Sequence, residues 1–132
     1  MAKLTEEMKQ MIATQQCFVA TASSDGTPRL GPKRSTRVFD DETLIFTEGT
    51  GRGTYNNRKQ NQRVAIAVVN REVLDGYRFA GTATVHESGE IYEKVAAASE
   101  AAGMPRPKAA VTVKIEEIHT LKPGPTAGTK IG

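Results

Sequence analysis

The sequence predicts a mainly β protein, namely a six-stranded antiparallel split β-barrel with flanking helices. Short apolar runs rich in β-branched residues recur along the chain, and Val64–Val69 is typical of a buried strand. Asp25-Gly26 and Asp75-Gly76 each separate two such runs, as expected for turns between antiparallel strands. One helical stretch follows the third predicted strand and another follows the fifth. This order favours a closed or split barrel.

The length and composition predict one globular domain over residues 1–132. Within it, the sequence predicts a helix in residues 1–16 and a loop-like tail at 123–132. The chain is 38% hydrophobic and 25% charged, which excludes intrinsic disorder. Its longest apolar run, Val64–Val69, is far too short to span a membrane. Cys17 is the single cysteine, so no internal disulfide can form and a cytoplasmic location is expected.

The charge balance favours an anionic ligand over nucleic acid. A net charge of +3 and a pI near 9.1 are only mildly basic, and 5% aromatic residues without Trp offer little surface for stacking bases. One cysteine and two separated histidines, His86 and His119, do not predict a metal site.

The first half of the chain predicts a helix and a three-stranded meander. The helix covers Thr5–Gln16, with Thr5 as its N-cap. The strands are expected at Cys17–Ala22, at Pro28–Phe39 and around Leu44–Phe46.

The second half predicts three further strands and one helix. After Val64–Val69 comes an alternating strand at Tyr77–Glu87, and then a helix at Ser88–Ala102 that Ser88 could cap. The last strand begins near Val111. Its alternation changes phase at Glu116-Glu117, which predicts a β-bulge there.

A glycine-rich loop follows the third predicted strand. Gly49, Gly51 and Gly53 surround Arg52, and Thr54 opens a polar segment with helical character that runs to Gln62. Free N–H groups at a helix start, together with an arginine, can bind phosphate. The alternative is a surface turn capped by Thr54. No Gly-Lys-Ser/Thr occurs, so the loop is not of the nucleoside triphosphate type.

The middle of the second predicted strand is cationic rather than apolar. Lys33, Arg34 and Arg37 lie within a few residues of Pro32, whose missing N–H predicts an edge or a bulge. The segment is either an edge strand protected by charge or a strand that lines an anionic ligand.

Taken in order, these segments resemble the FMN-binding split-barrel family related to pyridoxamine 5′-phosphate oxidase, in its short single-domain form. The resemblance covers almost the whole chain. It rests on the motifs S-S-D-G-T-P, V-F-D-D-E-T-L-I-F, N-N-R-K-Q-N-Q-R-V-A-I-A-V, G-Y-R-F-A-G-T-A-T-V-H and A-A-V-T-V-K-I-E-E-I-H.

The resemblance implies a homodimer with two FMN sites at the subunit interface. The residues implied on the side of the flavin ring are Gly31, Pro32, Lys33, Arg34 and Ser35. The residues implied on the side of the phosphate and ribityl chain are Thr47, Glu48, Gly49, Arg52, Gly53, Thr54 and Asn57. A cation near the flavin stabilises its anionic reduced form, and Lys33 or Arg34 is the candidate for this role.

Two departures from the family pattern qualify the implied function. Small relatives often carry Lys-Thr-x-x-Asn where this chain has Gly53-Thr54-Tyr55-Asn56-Asn57, so Arg52 would have to supply the charge. The Arg-and-His substrate segment of the longer oxidases is absent from the sequence, so oxidation of pyridoxamine phosphate is not expected. No acid–base residue and no substrate can be identified.

Four functions are compatible with the sequence. The first is a flavin-dependent oxidoreductase acting on a small molecule, and the second is a non-catalytic electron carrier or flavin store. The third is a nucleic-acid-binding barrel that uses Arg29, Lys33, Arg34 and Arg37. The fourth is a family member that has lost FMN or uses haem or a deazaflavin.

Overall fold

The computed structural model describes residues 2–49 and 62–132. These residues form two helices and seven strands. In chain order they are α1 (Glu6–Thr14), β1 (Cys17–Ala22), β2 (Pro28–Pro32), β3 (Arg37–Asp40), β4 (Thr43–Glu48), β5 (Arg63–Asn70), β6 (Asp75–His86), α2 (Glu90–Ala101) and β7 (Ala109–Thr120).

The strands form one sheet in the order β2-β1-β5-β6-β7-β4-β3. Every pair of neighbours is antiparallel. β2 and β3 follow each other in the chain and lie at opposite edges of the sheet, which is the open seam of a split barrel. The predicted fold class is therefore confirmed, with seven strands rather than six.

The additional strand arises because the predicted strand Pro28–Phe39 is divided in two. Pro32, which has no N–H, ends β2, and the N–H of Lys33 still donates to the Cys17 carbonyl at 3.0 Å. The N–H of Thr36 then donates to the Lys33 carbonyl at 3.1 Å, which closes a tight turn. We call residues 33–36 the β2–β3 turn.

Helix α1 fills one side of the barrel core. The Thr5 hydroxyl accepts the Met8 N–H at 3.2 Å, so the predicted N-cap is confirmed. Met8 and Ile12 lie one turn apart and are 5% and 3% exposed, within the same cluster as the inner strand residues. Full burial of such side chains contributes about 1.5–3 kcal/mol each, so these two contacts hold the helix on the sheet.

The predicted C-terminus of helix α2 is confirmed, whereas its predicted N-cap is wrong. The cap is Gly89, with φ +95° and no side-chain hydrogen bond, and the helix begins two residues after Ser88. At the other end Gly103 has φ +78°, its N–H donates to Glu100, and the N–H of Met104 donates to Ser99. These bonds satisfy the last carbonyls of the helix.

Helix α2 covers the outer face of the sheet at the β4–β7 end. Val95 packs with Ile45 of β4 and Ala110 of β7, with the half-buried Ile91 beside them. No helix among the described residues is long and apolar enough to cross a membrane. The tail returns along β7, where the Ile118 carbonyl accepts the N–H of Ile131 at 2.7 Å.

The β-bulge predicted at Glu116-Glu117 is confirmed. Ala80 pairs with Glu117 and Gly81 pairs with Ile115, so Glu116 is the extra residue. A Cβ on Gly81 would lie 2.0 Å from the carbonyl oxygen of Lys114. The close approach of β7 therefore requires glycine at position 81.

We predict that Gly81→Ala lowers the free energy of unfolding by about 2–4 kcal/mol, because backbone atoms must move to admit the methyl group. Chemical denaturation measures the change. Gly31→Ala is the matched control, since a Cβ there meets no described atom within 4 Å. Equal stability of the two variants would contradict the close approach of β7.

Candidate functional site

The β2–β3 turn lies beside the end of β4, and two direct contacts join them. The ammonium of Lys33 lies 2.5 Å from Oε1 of Glu48. The N–H of Thr47 donates to the hydroxyl of Ser35 at 2.9 Å. The structure thus brings together Lys33 and Ser35, which the resemblance implies on the ring side, with Thr47 and Glu48, which it implies on the phosphate side.

Glu48 is the buried member of the ion pair. Its side chain is 3% exposed and that of Lys33 is 24% exposed. A buried carboxylate is costly without a partner, so the ion pair fixes both the turn and the end of β4. The pairing also engages the charge of Lys33. Arg34 is therefore the better candidate for a cation that meets an external ligand.

Arg34 and Arg37 lie on opposite sides of Thr36, and both residues are exposed. Among the described residues Arg34 forms no ion pair. The guanidinium of Arg37 donates to the Ser35 carbonyl at 2.8 Å, and partial burial lowers the pKa of Arg37 from its usual value. Two arginines therefore present positive charge next to the turn.

A cleft of about 600 Å³ separates this turn from α1. It is lined by residues 12–16 at the end of the helix, by Cys17 and by residues 34–37. The volume lies within the range of roughly 300–1,000 Å³ that is usual for small-molecule sites. The described part of the lining contains two arginines and no carboxylate, so it favours an anionic or electron-rich molecule.

Cys17 lies at the floor of this cleft but is 2% exposed. Burial raises the pKa of its thiol to about 11. The protonated thiol is a poor nucleophile, so the structure agrees with the prediction that Cys17 is a core residue.

Gly31 and Gly49 each adjoin open space among the described residues. Gly31 lies in β2 and Gly49 directly follows β4. A Cβ on either glycine would meet no described atom within 4 Å. Protein packing among the described residues therefore does not require glycine at these positions. Such space permits a ligand to approach the backbone closely.

The remaining predicted site residues divide into two groups. Pro32 is exposed at the end of β2. Arg52, Gly53, Thr54 and Asn57 lie outside the described residues, as does most of the predicted helix from Thr54.

Sequence reasoning missed the wall of the cleft that α1 provides. Residues 12–16 reach the turn only through the tertiary packing of Met8 and Ile12 on the sheet. Nothing local to residues 12–16 indicates this contact. Arg37 could be identified from the sequence, because it belongs to the cationic segment of the predicted second strand.

Comparison with known proteins identifies the family. Residues 4–122 match the family model described as pyridoxamine 5′-phosphate oxidase. The chain belongs to this family. The match covers β1 to β7 and therefore includes every strand of the described sheet.

Three known proteins are similar to this chain over most of their length. The crystal structure of HupZ from Group A Streptococcus is 42% identical, with a TM-score of 0.86 over 95% of this chain and 99% of that one. An uncharacterized protein of Methanocaldococcus jannaschii is 38% identical over 98% of this chain and 88% of its own length. A predicted pyridoxamine 5′-phosphate oxidase of Lactobacillus delbrueckii is 34% identical, with a TM-score of 0.81 over 88% of this chain and 93% of that one.

The same fold occurs in a protein of more distant sequence. A structure of an FMN-binding protein from Syntrophomonas wolfei superposes with a TM-score of 0.73 over 88% of this chain and 84% of that one, at 16% identity. At that identity the likeness shows a common fold alone.

We predict that Lys33→Met lowers the free energy of unfolding by about 1–3 kcal/mol, because it removes the cation from a buried carboxylate. Lys114→Met is the matched control. Lys114 pairs with Glu42 at 2.5 Å, but it is 52% exposed, so its loss should cost clearly less stability than the loss of Lys33. Urea denaturation of both variants provides the measurement. An equal or larger cost for Lys114→Met would count against the structural role of the Lys33–Glu48 pair.

We predict that burial of Cys17 makes the protein less stable as the pH rises from 9 to about 11. The thiol pKa is 9.0 in the unfolded chain and about 11 in the folded one, so only the unfolded chain loses the proton in this interval. The contribution is complete below pH 9 and is lost through pH 11, on the order of 2 kcal/mol. Denaturation curves of wild type and Cys17→Ala at pH 8 and pH 11 measure it. Parallel losses in both proteins would refute the assignment to Cys17.

Proposed function

We propose that this protein binds FMN between the β2–β3 turn and the glycine loop after β4, at the interface of a homodimer. We further propose that it is a flavin-dependent oxidoreductase acting on a small molecule. The proposal treats residues 1–132 as one split-barrel domain that functions in the cytoplasm. The predicted FMN residues, including Arg52, Gly53, Thr54 and Asn57 in the loop, keep their proposed roles.

The observation that carries the proposal is the direct contact between two segments that the family resemblance implies for different parts of one ligand. Lys33 contacts Glu48, and Ser35 contacts Thr47, at the point where β4 runs into the glycine loop. A ring held by the turn would therefore lie near a phosphate held by the loop. The family assignment and the FMN-binding protein of the same fold support the choice of cofactor.

The described residues fit the ring side of such a site. Gly31 and Gly49 provide open space on the two segments. Arg34 provides a cation next to the cleft, and the Lys33–Glu48 pair brings no net charge against the ligand. Bound FMN would supply hydride and single-electron chemistry that the side chains lack.

Each protein group has a separate part in this arrangement. The Arg34 guanidinium would stabilise negative charge on a reduced ring, since it lies in a partly enclosed cleft where electrostatic interactions are stronger than in water. The hydroxyl of Ser35 orients the end of β4 by accepting the Thr47 N–H. Lys33 holds the side chain of Glu48 in place through the ion pair, so it acts as a positioning residue.

A non-catalytic flavin carrier or store is the second candidate. The observation that favours it is the lining of the cleft, where the Cys17 thiol has a pKa near 11 and no histidine, aspartate or glutamate is present. The described lining therefore offers no group suited to proton transfer near pH 7. Steady-state turnover with NADH or NADPH and an electron acceptor distinguishes an enzyme from a carrier.

We predict that the purified protein, or the protein after addition of FMN, shows the visible absorption of a bound oxidised flavin. Arg34→Ala should weaken FMN binding about tenfold through loss of a charge-assisted contact, whereas Arg71→Ala, in the exposed β5–β6 turn, should leave it unchanged. Gly31→Leu should fill the open space and block binding without loss of the fold. Arg52→Ala and Thr54→Asp test the loop. Fluorescence titration and ultrafiltration measure each affinity.

Three outcomes would count against the proposal. A colourless protein that ignores FMN at high micromolar concentration would reject the cofactor. Uptake of haemin or a deazaflavin in place of FMN would replace it. Binding of FMN that is equally weak in Arg34→Ala and Arg71→Ala would place the cofactor elsewhere.

A further inference from the structure

A small cavity lies on the outer face of the sheet, between helix α2 and the edge strand β3. β3 pairs with β4 on one side and with no described strand on the other. The cavity has a volume of about 180 Å³. We call it the α2 slot. Its described lining consists of residues 37–39 of β3, Ile45 of β4 and, on α2, Ile91, Lys94 and Val95.

Strand register explains why this space exists on the outer face. Arg37 pairs directly with Ile45, so both residues point to the same side of the sheet. Ile45 packs with Val95 of α2, which identifies that side as the outer one. The helix covers β4 and β7, but Phe39 on β3 is left 47% exposed. The slot is therefore the space that remains between the helix and the last strand of the sheet.

A β-bulge sets the position of Phe39 beside this space. Val38 pairs with Leu44 and Asp40 pairs with Thr43, so Phe39 is an additional residue between two consecutive pairs. Bulges change the direction in which a side chain points and are common next to functional sites. Phe39 lines the slot and belongs to neither apolar cluster of the described core.

The lining of the slot combines apolar walls with two cations. Arg37 comes from the strand and Lys94 from the helix, so positive charge is present on both walls. The guanidinium of Arg37 donates one hydrogen bond to the Ser35 carbonyl and retains further N–H donors for a ligand. The nearest carboxylates in the chain, Asp40 and Glu90, are not part of the described lining. The slot is therefore complementary to an anion that carries an apolar group.

The volume of the slot limits the size of that molecule. An apolar cavity of about 150 Å³ accommodates one benzene molecule. The slot, at about 180 Å³, therefore has room for one aromatic ring or a short aliphatic chain, and it is too small for the three fused rings of a flavin. Among small anions a carboxylate suits the lining best, because a guanidinium can bind both of its oxygens.

We propose that the α2 slot binds a small organic carboxylate. The aromatic or aliphatic group lies between Phe39 and Ile91, and the carboxylate lies between Arg37 and Lys94. This inference goes beyond the proposed flavin function and does not depend on it. Arg37 lines both the slot and the 600 Å³ cleft, whereas Lys94 belongs only to the described lining of the slot and Arg34 only to that of the cleft.

The first test uses benzoate as the probe, with the ¹⁵N-labelled protein as purified. Benzoate should bind with a Kd of about 1 mM or lower, and the amide shifts that it causes should be largest in β3 and α2. Benzyl alcohol lacks the charge and acetate lacks the ring, so each should bind at least about fivefold more weakly. Absence of saturable shifts, or equal binding of acetate, would overturn the proposal. Equal binding of acetate would show an adventitious ion only.

The second test separates the slot from the cleft. Lys94→Ala should weaken benzoate binding about fivefold or more through loss of a charge-assisted contact, whereas Lys122→Ala, in the exposed tail, should leave it unchanged. Arg34→Ala should also leave it unchanged. Unaltered binding in Lys94→Ala, or a larger loss in Arg34→Ala, would place benzoate outside the slot and overturn the proposal.

The third test removes the aromatic wall. Phe39→Ala should weaken benzoate binding about threefold or more, because the ring loses an apolar contact. Leu74→Ala is the matched control, since Leu74 is a 61% exposed apolar residue in the β5–β6 turn. Circular dichroism with thermal melting verifies that both variants are folded. Equal affinity of folded Phe39→Ala and Leu74→Ala would overturn the assignment of Phe39 as a wall of the site.

Flavin binding is measured on the same samples and fails independently. A colourless protein that binds benzoate in the slot would reject the cofactor and support the carboxylate site. A protein that binds FMN and ignores benzoate would reject the carboxylate site and leave the cofactor supported. Displacement of benzoate by FMN would place both in the cleft and overturn the proposal.

Discussion

The buried carboxylate of Glu48 is the constraint on which the arrangement of the site depends. It lies at the end of β4, almost fully removed from water, and the ammonium of Lys33 meets it at 2.5 Å. Because an unpaired charge in that position would be strongly destabilising, the β2–β3 turn is held against β4. The hydrogen bond from the Thr47 N–H to Ser35 fixes the same two segments with a defined orientation. Two short stretches that are separate in the chain thus become one surface.

The sequence predicted the fold well where the signals were local and repeated. The alternation from Tyr77 onward predicted β6, and the phase change at Glu116-Glu117 predicted the bulge, since both are properties of neighbouring residues. The prediction failed where contacts with residues distant in the sequence determine the structure. Residues 28–39 contain no Asn-Gly or Asp-Gly signal at the break between β2 and β3, so the sequence predicts one continuous strand there. The turn forms because β2 and β3 join opposite edges of the sheet, and sheet order is not a local property.

The sequence predicted individual residues of the candidate site but not the contacts between them. Lys33 and Arg34 stood out because the middle of the predicted second strand is cationic and poor in apolar residues, and Glu48 entered only through the resemblance. Among the described residues, Lys33 forms an ion pair and Arg34 does not. This difference depends on how the turn packs on β4. The difference changes their roles, since a paired lysine positions another group whereas an exposed arginine can meet a ligand. The cleft wall from α1 depends in the same way on tertiary packing.

The two ends of the outer sheet face differ in what covers their apolar side chains. At the β4–β7 end the sheet meets Val95 of α2, which belongs to its own chain. At the other end alanines alternate with the large buried residues of the inner face, and Phe18 and Leu30 remain exposed beside them. If only solvent met this second end, small polar residues would serve equally well and would not expose apolar surface. The β2 strand borders both this end of the sheet and the β2–β3 turn, so any group that covers Phe18 and Leu30 would also limit access of water to the turn.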